Sequence, residues 1–432
     1  MDGVHLSRPE MWRALPFERW AAALVPLFRK SIWRSLPVRH RRGFVTKVLE
    51  ALAPMPSNAV AADPIMVCGY MGSATGLGEA ARLSAEALCQ LGHDVRAIDI
   101  SYLMRGEIGS ITQTTKILET GNGTLLLHFN PEALSVVLPL IGAAKCAGKR
   151  IIGYWSWELS RMPDNWVHSL RFVDEVWAPS QFTADAIRRA TSKPVRVVPH
   201  PVAIRPAGAQ RRADFGVAED TFVVLCVFNF SSSIERKNPI GAIRAFITAF
   251  GDDPKAQLII KTSGAARYPI AYRQVLDAAA GAQNIRVIEA DLDRGLISDL
   301  IASVDVVLSL HRAEGFGLVM AEAMHAGKVV VATAWSGNLD FMTDETAALV
   351  PVTQVPSNDS EHLYCFEGQT WADADLDAAA AWLKRLADEP QRRRQMSVQA
   401  KIHAGKSLGL QAFSQAIAPA LGQPALDRSS RL

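Results

Sequence analysis

The sequence predicts an α/β protein built from two doubly wound, parallel-sheet domains. Its length of 432 residues exceeds what one ordinary hydrophobic core organises, so two domains are expected. Strand and helix patterns alternate twice along the chain, first over residues 65–199 and again over residues 222–310. Such alternation is typical of parallel sheets with helices on both faces. The stretch 199–216, which contains prolines and several arginines, is predicted to connect the two domains.

Bulk composition excludes several classes of protein. Hydrophobic residues make up 49% of the chain and charged residues 21%, which are globular values. The formal charge of +3 is small for this length, so we expect no nucleic-acid partner. The five cysteines are scattered and form no Cys-x-x-Cys pair. This favours a reducing cytosol and gives no support to a disulfide framework or a structural zinc site.

The alternating patterns place the elements of both domains. In the first series we predict strands at 65–68, 95–100, 124–129, 150–154, 175–178 and 195–199, and helices at 78–91, 131–147 and 182–190. In the second we predict strands at 222–228, 257–261, 285–290 and 304–310, helices ending at residues 250, 280 and 303, and mostly helical structure after residue 371. We therefore assign residues 64–205 to a first Rossmann-like domain and residues 206–404 to a second.

The first 63 residues are predicted to form a helical extension and a linker. Residues 1–43 carry nine arginines and lysines against three acidic residues, together with three tryptophans. Phe17, Trp20, Leu24 and Phe28 fall at helical spacing, so a short amphipathic helix with a basic rim is expected. It either lies on an anionic membrane surface or packs on the first domain, and the residues leave both interpretations open. Without a signal-peptide pattern or an apolar segment of about 20 residues, we expect a cytoplasmic protein, peripheral at most on the inner face of the plasma membrane.

The stretch 311–333 is the strongest candidate for a functional site. The apolar run 304–310 before it is typical of a buried parallel strand, and open α/β sheets bind ligands at the carboxyl ends of their strands. Gly315 and Gly317, on either side of Phe316, allow a sharp turn that brings backbone N–H groups to the start of a helix, where phosphates bind. Glu322, one helical turn after Leu318, is placed to accept hydrogen bonds from a ribose diol.

At these residues the sequence resembles the retaining GT-B glycosyltransferases, specifically glycosyltransferase family 4. Glu314 and Glu322 have the spacing of that family's two glutamates, with Gly-Phe-Gly-Leu following the first. The resemblance implies two Rossmann-like domains that face a cleft, with the acceptor in the first domain, the donor in the second, and C-terminal helices at about 405–425 crossing back onto the first. It also implies that Glu314 lies at the donor sugar, that Glu322 binds the ribose, and that the amides of residues 315–318 hold the diphosphate.

Residues 231–239 are a second candidate, because they follow a strand and open a helix. Lys237 and Arg236 are suited to neutralise charge on a departing nucleotide diphosphate. In family 4 a lysine at this position acts with an arginine just after the preceding strand, a place that here holds Asn229 or Phe230. Either Arg236 or Arg312, which is also expected to touch donor phosphate, takes over that role. The alternative is an exposed basic helix cap.

The first domain supplies further candidates. The glycine-rich loop 69–78 lacks the dinucleotide-binding fingerprint, and the resemblance places its Gly76 and Gly78 at the donor phosphates or the acceptor. Plain tight turns are the alternative reading of these glycines. His128 ends a strand, and the resemblance places a histidine there close to the sugar. A lone histidine is otherwise a satisfied structural residue.

Other polar segments are assigned to structure first. The aromatic run 154–158, with Glu158, suits a carbohydrate acceptor, but packing is the favoured interpretation. His200 is assigned to the hinge between domains, and His311 either touches donor phosphate or fills the strand end. The Asp-x-Asp pairs at 291–293 and 373–375 are both read as helix starts, where capping explains them, so we expect neither a metal nor another cofactor.

Together with these residues, the resemblance implies a metal-independent glycosyltransferase, and it is the resemblance alone that implies retention. Such an enzyme would transfer a sugar from a nucleotide-sugar donor to a hydroxyl of a glycan or lipid-linked glycan in surface polysaccharide synthesis. An epimerase or phosphorylase of the same fold, or a scaffold that binds nucleotide or carbohydrate without catalysis, are the alternatives. The donor base, the donor sugar and the acceptor cannot be read from the residues.

Overall fold

The computed structural model describes residues 53–104, 118–202 and 212–421. The predicted N-terminal helix and residues 203–211 of the predicted interdomain connection lie outside these residues. The described chain forms two six-stranded parallel sheets and one antiparallel hairpin. The two doubly wound sheets predicted from the alternating pattern are therefore confirmed.

The first sheet has the strand order β2-β1-β3-β4-β5-β6. Its strands are β1 (Ile65–Gly69), β2 (Val95–Asp99), β3 (Gly123–His128), β4 (Lys149–Tyr154), β5 (Glu175–Ala178) and β6 (Val195–Val197). The second sheet has the order β12-β11-β10-β7-β8-β9. Its strands are β7 (Phe222–Val227), β8 (Ala256–Thr262), β9 (Ile285–Glu289), β10 (Val306–Ser309), β11 (Val329–Thr333) and β12 (Ala348–Val350).

Helices connect the strands of both sheets. In the first domain they are α1 (Gly76–Gln90), α2 (Ser101–Met104), α3 (Leu134–Ile141), α4 (Ala143–Cys146), α5 (Asp164–Val167) and α6 (Gln181–Arg188). In the second they are α7 (Ile234–Lys237), α8 (Pro239–Phe250), α9 (Pro269–Ala279), α10 (Arg294–Ala302), α11 (Leu318–His325), α12 (Leu376–Asp388), α13 (Pro390–Ser407) and α14 (Leu410–Leu421). Short 3-10 segments include Phe230–Ser232 and Gly337–Asp340.

Hydrophobic clusters cover both faces of each sheet, which is why central strands such as β3 and β7 are largely apolar. In β3, Leu125 and Leu127 pack into the hydrophobic cluster on one face. Leu126, between them, packs into the cluster on the opposite face. Successive side chains of a strand point to opposite faces, so an uninterrupted apolar strand requires helices on both sides.

Two local predictions are wrong. The single helix predicted at 131–147 is divided by Gly142, which has φ +89° and ends α3. The chain after residue 371 is mostly helical, as predicted, but Thr370–Ala374 first forms strand β14, paired with β13 (Val352–Pro356). Asp373 therefore lies in a strand and is not part of a helix start. Asp375 accepts a hydrogen bond from the N–H of Ala378 at 2.9 Å and caps α12.

The last helix returns to the first domain. Phe413 and Ile417 of α14 are fully buried and share a hydrophobic cluster with Ile65 and Val67 of β1. The chain thus crosses between the domains twice, which limits how far they can separate. Among the described residues, no helix has both the length and the apolar character to cross a bilayer.

Candidate active site in the interdomain cleft

A cleft of about 1030 Å³ separates the two domains and is lined by both. The first domain contributes the glycine-rich loop after β1 and the loop after β4. The second contributes the segments that follow β7, β8, β9 and β10. Since parallel strands end at one edge of a sheet, the loops of each domain meet at the cleft. Its volume is in the range of substrate sites.

The loop between β10 and α11 is shaped by its two glycines. Gly317 has φ +98°, in the left-handed region, and is the N-cap of α11. A Cβ at Gly315 would lie 3.3 Å from the carbonyl oxygen of Trp157, so the loop touches the first domain here. Ser180 of the first domain also donates a hydrogen bond to the Gly315 carbonyl at 2.6 Å. The amides of this loop are thereby held at the seam between the domains.

Three charged side chains meet beside this loop. Lys237 Nζ forms an ion pair with Glu314 Oε1, and Arg236 Nη1 lies 3.3 Å from Glu314 Oε2. Arg236 is 3% exposed and Glu314 is 8% exposed. All three residues line the cleft. Buried charges are stable only when paired in this way, so the cluster is a defined structural unit of the site.

The contacts within the cluster shift the pKa values of its members and so determine their charges. Burial alone would raise the pKa of Glu314, but Lys237 and Arg236 lower it to about 2. Burial lowers the pKa of Lys237, while Glu314 opposes that decrease. Burial also disfavours the charged form of Arg236, but Tyr364, Glu158 and Glu314 outweigh it and raise its pKa. Glu314 is therefore a carboxylate and Arg236 a cation at neutral pH.

Of the two arginines that the sequence analysis considered, Arg236 is the one that lies beside Lys237 and Glu314 in the cleft. Its guanidinium donates to the carbonyls of Ala313 at 2.8 Å and Ser232 at 3.1 Å. Arg312 instead pairs with Asp373, 2.9 Å away, and its guanidinium lies over the ring of Trp371. Arg312 does not line the cleft, so its predicted contact with donor phosphate is not supported by its position.

Glu322 and the rest of the predicted donor loop do line the cleft. Glu322 lies on α11, and Gly315, Phe316, Gly317 and Leu318 lead into that helix. His311 lies behind the loop and is fully buried. Its Nδ1 is 3.0 Å from Ser309 Oγ and its Nε2 is 3.1 Å from Asn338 Oδ1. Of its two predicted roles, His311 thus has the structural one, filling the strand end.

His128 lies below the cleft surface. It is 1% exposed, and its Nε2 is 2.9 Å from Ser84 Oγ. Burial and the nearby His200 lower its pKa well below the usual value, so its ring is neutral. The predicted contact between His128 and a sugar is not supported, because the ring of Tyr154 covers it with centroids 4.0 Å apart.

His200, which the sequence analysis assigned to the hinge, also lines the cleft. Its Nδ1 is 2.9 Å from the hydroxyl of Tyr154, and its ring packs on Phe316 with centroids 4.8 Å apart. The Tyr154 hydroxyl proton is donated to the carbonyl of Val198, so His200 Nδ1 is the donor to Tyr154. Burial lowers the pKa of His200 to about 3, which keeps the ring neutral. The sequence signal that could have placed His200 in the cleft is its position shortly after β6, at the carboxyl edge of the sheet.

The two glycines predicted to bind a ligand in the glycine-rich loop, Gly76 and Gly78, have different surroundings. Gly76 lines the cleft, and a Cβ there would meet nothing within 4 Å. Gly78 does not line the cleft, and a Cβ there would lie 2.5 Å from the carbonyl of Tyr70. Gly78 is therefore required by the turn rather than by a ligand. Glu79, next to it, forms ion pairs with Arg82 and with Arg294 of the second domain, which ties the two sides together.

A segment that the sequence analysis did not identify crosses the cleft. The connection between β13 and β14 places Tyr364 against the first domain. Its hydroxyl donates to Glu158 Oε2 at 3.1 Å, and its ring stacks on Trp157 with centroids 5.8 Å apart. Glu158 Oε1 is 3.8 Å from Arg236 Nη2. Glu158 is thus the first-domain carboxylate nearest the charged cluster among the ion pairs of the described chain.

The Asp-x-Asp pair at 291–293 belongs to a helix start. Asp293 accepts a hydrogen bond from the N–H of Leu296 at 2.9 Å and caps α10. In the part of the chain that the structure describes, no group of three histidine, cysteine or acidic side chains is arranged to hold a metal ion.

Comparison with known proteins agrees with this architecture. Residues 221–363 match the family described as Glycosyl transferases group 1, which includes the charged cluster and both glutamates. No curated protein sequence matches the chain.

Solved structures share the fold at low sequence identity. Sucrose-phosphate synthase from Thermosynechococcus elongatus superposes with a TM-score of 0.60 at 16% identity, over 83% of this chain and 98% of that chain. Anabaena HepE in complex with UDP and glucose gives 0.57 at 16% identity, over 83% and 98%. Staphylococcus aureus TarM in complex with fondaparinux, α-GlcNAc-glycerol and UDP gives 0.53 at 10% identity. That match covers 75% of this chain, which spans 59% of TarM.

These neighbours confirm the predicted GT-B fold. The family match to the second domain supports a relationship to the group 1 glycosyltransferases.

Proposed function

We propose that the protein transfers a sugar from a nucleotide-sugar donor to an acceptor hydroxyl, with retention of anomeric configuration, as a family 4 enzyme. The proposal rests on one observation: Lys237, Arg236 and Glu314 meet in the cleft beside the glycine loop that opens α11. The family match of residues 221–363 supports the same activity. The activity needs an anion-binding helix start, cations beside it and a cleft that admits two substrates.

In the proposed complex the second domain holds the donor. Glu322 accepts hydrogen bonds from the ribose hydroxyls, and the N–H groups of residues 315–317 bind the diphosphate. Glu314 accepts from hydroxyls of the transferred sugar. A carboxylate has about four lone-pair positions, so Glu314 can do this while it remains paired with Lys237 and Arg236.

The two cations then stabilise the leaving group. The bond between the anomeric carbon and the diphosphate oxygen breaks, and the acceptor oxygen bonds to that carbon on the same face. The acceptor proton passes to the departing diphosphate oxygen, whose charge Lys237 and Arg236 stabilise. The rest of the catalytic effect comes from orientation of the substrates within the cleft.

The first domain is proposed to bind the acceptor, a glycan or lipid-linked glycan of surface polysaccharide synthesis. Glu132, Ser156, Glu158 and Asn165 line its side of the cleft and offer hydrogen-bonding groups for a polyhydroxyl. We further propose that catalysis needs no metal, that the protein works in the cytoplasm, and that residues 1–43 contact the inner face of the plasma membrane.

The test is nucleotide release from a panel of nucleotide sugars, with simple alkyl glycosides as acceptors and EDTA present. We expect release from at least one donor, acceptor-dependent formation of a glycoside, and retained configuration by NMR. Isomerised donor without release would indicate an epimerase, and a requirement for inorganic phosphate would indicate a phosphorylase. No turnover of any donor, although nucleotides bind, would indicate a binding scaffold.

A further inference from the structure

Lys261 is a nearly buried cation that faces the cleft. It is the penultimate residue of β8, lines the cleft and is 6% exposed. Within the described chain its ammonium has no hydrogen-bond or ion-pair partner, and the nitrogen atom itself is not fully buried. Its ammonium therefore reaches the cleft surface. Burial lowers its pKa, while Asp291 and Glu289 oppose the decrease. A charge that is held so far from water without a partner indicates a ligand that accepts a hydrogen bond.

The position of Lys261 in the sheet indicates which part of a donor it meets. The second sheet has the order β10-β7-β8-β9, and Glu314 follows β10. Neighbouring strands are about 4.8 Å apart, so the end of β8 lies about 10 Å along the sheet edge from the end of β10. The sugar and diphosphate are assigned to the β10 and β7 side. The far end of the nucleotide, its base, then falls beside β8 and β9.

The surroundings of Lys261 suit a heteroaromatic ring. Leu292 and Ile297, which follow β9, and Val227, at the end of β7, are partly buried apolar residues that line the cleft. Asp291, which also lines the cleft, follows β9 and interacts electrostatically with Lys261. This part of the cleft thus combines apolar residues with one hydrogen-bond donor and one acceptor. Such a combination is typical of sites that orient a planar polar ligand.

A donor beside an acceptor distinguishes the bases. Uracil, thymine and guanine present a carbonyl oxygen at position 4 or 6 with a ring N–H beside it, whereas cytosine and adenine present an amino group there. An ammonium can only donate and a carboxylate can only accept. We propose that Lys261 and Asp291 select a donor with a keto base, Lys261 binding the carbonyl oxygen and Asp291 the adjacent N–H. This inference rests on the proposed function.

The experiment measures the affinity of the full chain for UDP, CDP, GDP and ADP by calorimetry. UDP and CDP are of equal size and differ only at position 4 and the adjacent ring nitrogen, so this pair isolates the keto edge. GDP and ADP test the same edge in purines, although guanine also carries a 2-amino group that adenine lacks. We expect the keto member of at least one pair to bind about tenfold more tightly or better, since it gains a charge-assisted hydrogen bond. In Lys261→Met that preference should fall to within about threefold, and in Asp291→Asn it should fall partly.

Lys255→Met is the matched control, because Lys255 immediately precedes the same strand at its opposite end and is exposed. It should leave all four affinities unchanged. Equal binding of keto and amino bases by the wild type would overturn the proposal, as would an equal loss for all four nucleotides and for inorganic pyrophosphate in Lys261→Met. Failure of every nucleotide to bind would overturn the proposed function as well. Nucleotide binding without a keto preference leaves the proposed function intact. Thermal unfolding of each variant verifies that it is folded.

Discussion

The two sides of the cleft differ in how their polar groups are satisfied. On the second-domain side, two cations and one carboxylate are packed together, with Arg236 and Lys237 against Glu314. On the first-domain side, His200 is buried, neutral and hydrogen-bonded to Tyr154. The comparison teaches that the second-domain side concentrates cations beside the glycine loop, whereas the first-domain side combines a buried neutral pair, His200 and Tyr154, with carboxylates such as Glu158. A departing diphosphate would meet the domain that has one more cation than carboxylate in its cluster.

Loss of Lys237, the least buried member of the charged cluster, should have the largest effect. In Lys237→Ala we expect the rate of transfer to fall by about 10²–10³-fold, because one of the two groups that stabilise the leaving diphosphate is removed. Donor binding should change less. The measurement is kcat from nucleotide release. Lys384→Ala, at an exposed helical ion pair with Asp388, is the control and should leave kcat unchanged.

The charged cluster on the second-domain side can also be tested by measuring stability at different pH values. Glu314 has a pKa of about 2 against an ordinary value of 4.5, so its ionised form stabilises the folded state above pH 4.5. That contribution is lost as the pH falls through about 2. Glu314→Gln should therefore lower the free energy of unfolding near pH 7, and its difference from the wild type should narrow below pH 4.5. Urea unfolding at several pH values measures this, and a constant difference would contradict the assignment.

A substitution in the sterically constrained glycine-rich loop of the first domain should have an intermediate effect on the free energy of unfolding. Gly78→Ala should lower the free energy of unfolding by about 1–3 kcal/mol, because its Cβ overlaps backbone carbonyls in the turn. Gly76→Ala, two residues earlier, adds its methyl group to open space and is the matched control. Thermal and denaturant unfolding distinguish them. Equal stability of the two variants would show that the loop adapts.

Removal of the Glu322 carboxylate, which is proposed to bind the ribose, should have a smaller effect that is confined to donor binding. In Glu322→Gln we expect the donor KM to rise about tenfold with little change in kcat, since the lost hydrogen bonds exist before and during transfer. A fall in kcat with unchanged KM would place Glu322 at the reacting centre instead.

Arg312 should have the smallest effect. Arg312→Ala removes an ion pair with the half-exposed Asp373, so we expect stability to change by about 0.5 kcal/mol or less and donor KM to stay constant. A large rise in donor KM would show that the guanidinium turns toward the cleft when the donor binds.

Several features of the fold were readable from the sequence because they are local. The two alternating series predicted all six strands of the first sheet and four of the six in the second, where β11 and β12 were not predicted. The strand Glu175–Ala178 was predicted to the residue. Gly142 was missed as a break, because it lies within a long apolar run that fits a helix. Strands β13 and β14 were missed because they pair with each other across the thirteen residues 357–369, which include Tyr364, so no short turn between them signals a hairpin.

By itself, the sequence determined the class of fold, the turn at Gly315–Gly317 and the set of charged residues beside it, since these follow from periodicity, backbone freedom and residue chemistry. Only the tertiary structure decided which charges meet. It paired Arg236 with Glu314 and Arg312 with Asp373. It also placed His200 at the cleft surface and His128 below it, and left Lys261 facing the cleft without a hydrogen-bond or ion-pair partner. The physical reason is that a side chain's partners depend on strand order and on the contact between domains, which join residues far apart in the chain.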